Sequence, residues 1–572
     1  MRLGWSGKGS KRSFYVYKSA YVNGKRTTVV AEKLGSAEFI CSTYGVQDAE
    51  KWCREYIASL NQKVQEQTEP VFIRFSPDQL IELNKQHTFN AGYLFIQNIY
   101  YKLGLHSISR AVARKHHSEF DLNNIFSRLI YSRILFPASK LATCEHARKY
   151  IEPSSFEVHQ VYRALSLIAQ ENDYIQSRLY RNSLRLMSRR TGVVFYDCTN
   201  FFYEIEQEDD FRKYGISKEH RPNPIVQMGL FMDYDGIPLA FVMNPGNTNE
   251  QLTMKPLEEK LMEDFSLSKF VVCTDAGLSS TENRTFNSQD ERAFITTQSL
   301  KKLKKHLKEW ALAPDSWKLQ DEKSLFNINE LQDEEEYKNR IFFKERWIRE
   351  NGLEQHLIIT YSIKTRDYQR TVRNRQIERA KKAADDPASK VDTKRQTDYR
   401  RFLSRKSCTD DGEKASHTFY ELNEDVIKDE ERFDGFYGIC TNLEDDAPAV
   451  ANISHKRWEI EECFRIMKSE FDSRPVFLSR EDRIKAHFMT CFIALVIYRF
   501  IEKELDDKYT CPEIIDTLRS MNMVKHDGQG WTPAYTRTEL TDALHEKFGF
   551  RTDYQIISLK NMKKICADSK KT

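Results

Sequence analysis

The sequence predicts an α/β protein organised around one mixed sheet, on three observations. Short apolar runs of strand length carry aspartates at or near their ends, those runs alternate with helical patterns, and a later amphipathic helix bears an acid between two bases on one edge. The 572 residues exceed what one core accommodates and imply several structural units. Hydrophobic residues make up 40 % and charged residues 30 %, with 35 Phe and 27 Tyr, which excludes a disordered chain. The longest apolar run, Phe488 to Tyr498, stops at Arg499, well short of the roughly 20 residues of a bilayer span, so it reads as a buried helix and no membrane is expected. The basic N-terminus has no apolar stretch behind it, and a cytoplasmic chain is the expectation. The 11 cysteines form no CxxC pair, so neither disulfides nor structural zinc are expected.

In chain order, residues 1–75 read as an N-terminal β-rich module, from SFYVYKSAYV and RTTVVAEKLG around the hairpin dipeptide Asn23-Gly24. Residues 76–190 carry apolar positions at helical spacing, as in NIFSRLIYSRILF, and form a helical region rich in Arg, Lys and His, which reads equally well as a DNA-binding or bridging domain and as an ordinary helical scaffold. Residues 191–300 open with three strand candidates, GVVFYDCTNFFYE, IVQMGLFMDY and IPLAFVMN, the last two joined at Asp235-Gly236. A helix (QLTMKPLEEKLMEDF), a strand (KFVVCTDAG), a short helix and a strand (AFITTQ) follow. The order β-β-β-α-β-α-β is that of an RNase H-like core. Residues 301–435 then intervene as a β-rich, charged insertion. Between Lys364 and Lys406 it holds 15 Lys/Arg against 6 Asp/Glu, on a strand, a basic helix and a mobile-looking linker, ADDPASKVDTKRQ. A solvated helix face and a phosphate-binding surface account for this equally well. FYGICTN resumes the core over 436–505, and 506–572 is a C-terminal segment, either a dimer contact or a packing appendage.

Two aspartates stand out. Asp197 lies in or at the end of the first strand of the core, and Asp275 closes a later one. An acid at the end of a buried strand is costly to desolvate unless paired, hydrogen-bonded or bound to a cation, and two on neighbouring strands suggest a cation site. In ISHKRWEIEECFRIMKSEF, about 100° per residue from Arg457 puts Ile460, Phe464, Met467 and Phe471 on one stripe and Glu461 and Lys468 within roughly 40° of Arg457. Glu459 and Glu462 fall on other faces, so Glu461 is the acid able to lean toward the sheet. No GxGxxG, P-loop, HExxH or GxSxG competes. His116 and His117 are adjacent, point in different directions on a helix, and make a poor metal pair.

Arg-x3-Glu-x6-Lys at Arg457, Glu461 and Lys468 resembles the signature of DDE transposases of bacterial insertion sequences. The likeness extends to YDCTNFFYE, MNPGNTNEQLTMKP, VVCTDAGLSSTEN, YSIKTRDYQRTVRNRQIERA and SRPVFLSREDRIKAHFMTCFIAL, and spans about residues 190–500. The best fit is the insertion-sequence-four superfamily, with one departure: its signature usually opens with Tyr three residues before the Arg, where this chain has Ser454. The resemblance implies Asp197, Asp275 and Glu461 as catalytic residues holding two Mg²⁺ (or Mn²⁺) ions. It also implies DNA or phosphate contacts from Arg457, Lys468, Arg465, Arg373, Arg375 and Arg379. The partners implied are double-stranded DNA, as terminal inverted repeats and target, and a second copy of the chain in a synaptic complex, in a bacterial, nucleoid-associated setting. Two other readings stay open: a transposase-derived DNA-binding protein that does not cut, and an RNase H-like nuclease without strand transfer.

Overall fold

Strand propensity in the first forty residues produces a three-stranded antiparallel meander, Arg2–Ser6, Ser13–Val22 and Lys25–Ser36. In the computed structural model, which describes residues 1–7, 12–22, 25–66, 71–154, 156–331, 334–384, 398–407 and 418–572, the Asn23-Gly24 turn and residues 385–396 of the linker lie outside the described residues. The chain forms two units, Met1–Lys85 and Gln86–Thr572. The first is less purely β than its strands suggested. Helices Ala37–Tyr44 and Ala49–Glu66 follow the meander, because Cys53, Ile57 and Leu60 recur at helical spacing and close over Phe14, Val16 and Leu34.

The second unit is built on an eight-stranded mixed sheet: β1 (Val193–Phe202), β2 (Ile225–Asp233), β3 (Pro238–Pro245), β4 (Val271–Thr274), β5 (Ala293–Thr297), β6 (Phe342–Glu350), β7 (Leu353–Tyr361) and β8 (Phe436–Thr441). Across the sheet the order is β6-β7-β8-β5-β4-β1-β2-β3. The pairs β1–β4 and β4–β5 are parallel and the rest antiparallel. β1 and β2 are buried along almost their whole length, which is why their sequences are near-continuous apolar runs and not alternating ones.

The insertion is continuous with this sheet. Its hairpin β6–β7 turns at Asn351-Gly352, both with positive φ, and hydrogen-bonds onto β8 through β7. The helical region also shares the core. Six helices between Tyr93 and Ser183 supply buried residues to the same hydrophobic cluster as helix Glu481–Glu504 and the sheet. By length and composition that helix resembles a membrane span, but 94 % of its apolar window is buried inside the protein. The C-terminal segment closes the helical end. Strand Asn522–His526 pairs with Thr88–Asn90, and the Asn90 amide donates to the carbonyls of Leu518 and Arg519 at 3.0 and 3.1 Å. At Gly92 a Cβ would lie 1.9 Å from the Leu518 carbonyl oxygen, so only glycine permits the approach.

Candidate active site

β1 and β4 lie side by side in parallel register, with Phe195 opposite Cys273. Two residues further on, that register sets Asp197, within β1, beside Asp275, the first residue beyond β4. Asp197 is 8 % exposed, and its carboxyl is pushed up to about 6 by burial, with Asp275 adding repulsion while Lys218, the Cys198 N–H and Arg457 oppose it. Its Oδ1 accepts from the Cys198 backbone N–H at 2.8 Å. Asp275 is fixed by its own turn, its Oδ1 accepting from the N–H groups of Gly277 (2.9 Å) and Leu278 (3.1 Å). Thr296 holds the backbone there by donating to the Asp275 carbonyl at 3.2 Å. Among the described residues neither Oδ2 makes a hydrogen bond, so each aspartate has one oxygen committed to the backbone and one available.

Helix Trp458–Ser469 packs over this part of the sheet through Ile460, Cys463, Phe464, Ile466 and Met467, with the Cys463 sulfur 3.7 Å from that of Met232 on β2. Arg499 secures it from the neighbouring helix, one of its terminal nitrogens donating to the Glu459 carbonyl and the Cys463 sulfur, each at 3.4 Å. The polar edge then takes the places its angles require, with one exception. Arg457, at the start of the helix, interacts electrostatically with Asp197, Asp275 and Glu461, and despite burial these hold its guanidinium above the usual arginine range. Lys468 is mostly buried, donating to Thr199 at 2.7 Å and to Glu219 at 3.2 Å. Burial, helped by the nearby Lys218, pushes its amine down to about 8. The exception is Glu461, which does not lean onto the sheet. Its side chain is 58 % exposed and pairs with Arg457 at 3.0 Å, one turn away. The ligand atoms of Asp197, Asp275 and Glu461 are accordingly not gathered within 4.8 Å of one another.

The other candidate cations divide by environment. Arg465 is half exposed and paired with Glu462 on its own helix. Arg373, on helix Ile363–Ala384, is 6 % exposed and clamps Asp434 with two hydrogen bonds of 2.5 and 2.7 Å, so its guanidinium faces the interior. Arg375 and Arg379 on the same helix are exposed. His116 pairs with Glu171 at 2.7 Å. Four residues that sequence reasoning missed complete the site: Thr199, Lys218, Glu219 and Glu250. Lys218 donates to the Cys198 carbonyl and pairs with Glu250 at 3.4 Å; although burial works against its charge, Asp197 and Glu250 hold it above the usual lysine range. Glu219 bridges Lys468 and Arg474. Lys218 and Glu219 sit in a loop without periodicity, and their one signal was a Lys-Glu pair soon after the strand that carries Asp197.

Among the described residues, one cluster does gather three metal-competent side chains within 4.8 Å: Asp542, His545 and Asp553. Two arginines already occupy it. Arg551 and Arg537 both pair with the two carboxylates, and the Thr552 N–H donates to His545 Nε2 at 3.1 Å.

The family model of the transposase DDE domain matches residues 190–497, more than half of the chain. No curated protein matches it. Among solved structures, a piggyBac transposase synaptic complex with hairpin DNA is similar over 75 % of this chain and 78 % of that one, at 8 % identity and a TM-score of 0.36, too loose a likeness to argue from.

Proposed function

The chain belongs to the transposase DDE domain family, and from that premise we propose that it binds the terminal inverted repeats of a bacterial insertion sequence of the insertion-sequence-four type, cuts the ends and joins their 3′-hydroxyls to target DNA. The observation that carries this reading is the Asp197–Asp275 pair: two carboxylates on adjacent parallel strands, one buried and raised, each with a free oxygen. Such a pair favours a bound cation, and the all-oxygen donor set suits a hard one. Members of the family generally use divalent metal ions. Here Asp197, Asp275 and Glu461 would hold two Mg²⁺ or Mn²⁺. Bound ions would lower the pKa of the attacking water or 3′-hydroxyl and stabilise the leaving oxygen. The strand order β1-β2-β3, helix, β4, helix, β5 supports an RNase H-like arrangement of this part of the sheet.

The chain's own residues do the rest. Glu461 is held by Arg457 at 3.0 Å; turned from it toward the two aspartates, it would complete the donor set and would leave the Arg457 fork to a phosphate beside the scissile bond. Lys468, held by Thr199 two residues after Asp197, presents a point charge to the same backbone. Arg375 and Arg379 extend the phosphate contacts along the insertion helix, and two copies of the chain would bring two ends together. The test is incubation of the full chain with a labelled duplex carrying the flanking terminal repeat, with Mg²⁺ and a plasmid target. Nicking at the repeat terminus followed by joined product supports the proposal. Nicking without joining favours the nuclease reading, and binding without nicking the DNA-binding one.

A further inference from the structure

A cavity of about 440 Å³ opens in the second unit between the helical region and the segment that follows helix Trp458–Ser469, lined by Arg133, Lys140, Asp472, Arg474 and His487 among others. Two of these are buried cations. Lys140 is 7 % exposed and Arg133 is 5 % exposed, and among the described residues neither has a carboxylate within ion-pair distance. Arg133 meets only carbonyls: one terminal nitrogen donates to Phe471 (3.0 Å) and Asp472 (3.3 Å), the other to Ala138 at 3.5 Å, and its Nε has no partner. Lys140 donates to His487 Nδ1 at 3.3 Å, and the His487 Nε2–H is directed to the Ser473 carbonyl at 3.2 Å. That hydrogen-bond order makes the imidazole neutral, so it offers Lys140 no charge. The Ser473 hydroxyl, fully buried, is also without a partner.

Two like charges buried close together are unfavourable unless a counter-charge joins them. The effect is legible on Lys140, whose amine is pushed down to about 7 by burial, with Arg133 adding repulsion. The wall carboxylate, Asp472, is on an exposed residue. Arg474, on the same wall, belongs to the chain of pairs through Glu219 to Lys468 and Thr199, so the cavity is wired to the candidate active site.

We propose that this cavity is a phosphate-binding site, in which Lys140 and Arg133 take a phosphate group as their missing counter-charge. The group comes either from a DNA backbone held beside the active site or from free phosphate; only the first source rests on the transposase reading. Two measurements on the full chain separate them. Thermal unfolding is followed with inorganic phosphate against chloride at equal ionic strength, for the natural chain, Lys140→Met and Lys140→Arg. Binding of a labelled duplex is followed against salt for the same three. The site predicts that phosphate raises the melting temperature of the natural chain and of Lys140→Arg but not of Lys140→Met, or that Lys140→Met lowers the salt slope of DNA binding by about one while Lys140→Arg does not. The first result alone identifies free phosphate, the second a backbone phosphate. If the phosphate-induced shift in melting temperature is the same for the natural chain and Lys140→Met, or absent from both, and the salt slope of DNA binding is the same for all three, the proposal is overturned, whether or not the protein cuts DNA.

Discussion

Asp197 shows how a single residue couples stability to function. Its folded carboxyl titrates near 6, above the unfolded value of about 3.9. A raised acid stabilises the fold fully below the unfolded pKa, and that contribution is lost as pH rises through the folded one. In metal-free buffer the Asp197→Asn variant should therefore gain stability relative to the natural chain between about pH 4 and 7, by about 3 kcal/mol, measurable as the difference between two urea titrations. The gain would be purchased with activity: loss of a carboxylate proposed to hold the metal should cost more than the roughly 100-fold typical of a supporting residue. A flat difference across that pH range would mean Asp197 is solvated and not buried against Asp275. The two aspartates were legible in the sequence because an acid at the end of an apolar run is conspicuous. Lys218, Glu219 and Glu250 were not, because contacts made by an aperiodic loop leave no pattern.

At the scale of elements, helix Ile363–Ala384 carries the sharpest contrast. Its composition alone cannot separate a basic surface from structural ion pairs, and the structure contains both. Arg373 clamps the buried Asp434, whereas Arg375 and Arg379 are exposed. Arg373→Gln should be destabilising by about 2–3 kcal/mol, because the buried Asp434 loses its two-pronged partner and keeps only Arg370 at 3.5 Å, with the salt slope of DNA binding unchanged, as read by unfolding and by anisotropy titrations. Arg375→Gln and Arg379→Gln should do the reverse, each lowering the slope by about one at nearly constant stability. The periodicity of helix Trp458–Ser469 gave its buried stripe correctly, with Ile460, Phe464 and Met467 inside. It could not give the rotamer of Glu461, because an i,i+4 partner and a cation compete for the same carboxylate and the sequence is silent on which is present.

The second unit is more tightly joined than its composition suggested. The helical region, the interrupted sheet and the C-terminal segment share one unit, since the insertion's hairpin extends the sheet and Phe95 packs against Phe548 and Phe550. Changes of pattern along a chain mark changes of secondary structure; they do not mark where a core ends, which depends on long-range pairs such as Thr88–Asn90 with Asn522–His526. Removing residues 506–572 should therefore abolish cooperative melting of the remainder, whereas residues 86–572 alone should melt cooperatively, as followed by circular dichroism. The most direct test of the site is cleavage of a repeat-bearing duplex in Mg²⁺ by Asp197→Asn, Asp275→Asn and Glu461→Gln, with binding measured in parallel. The account predicts that all three bind the duplex and none cuts it. Cutting that survives Glu461→Gln would contradict it, showing that Glu461 stays with Arg457 and that another group completes the site.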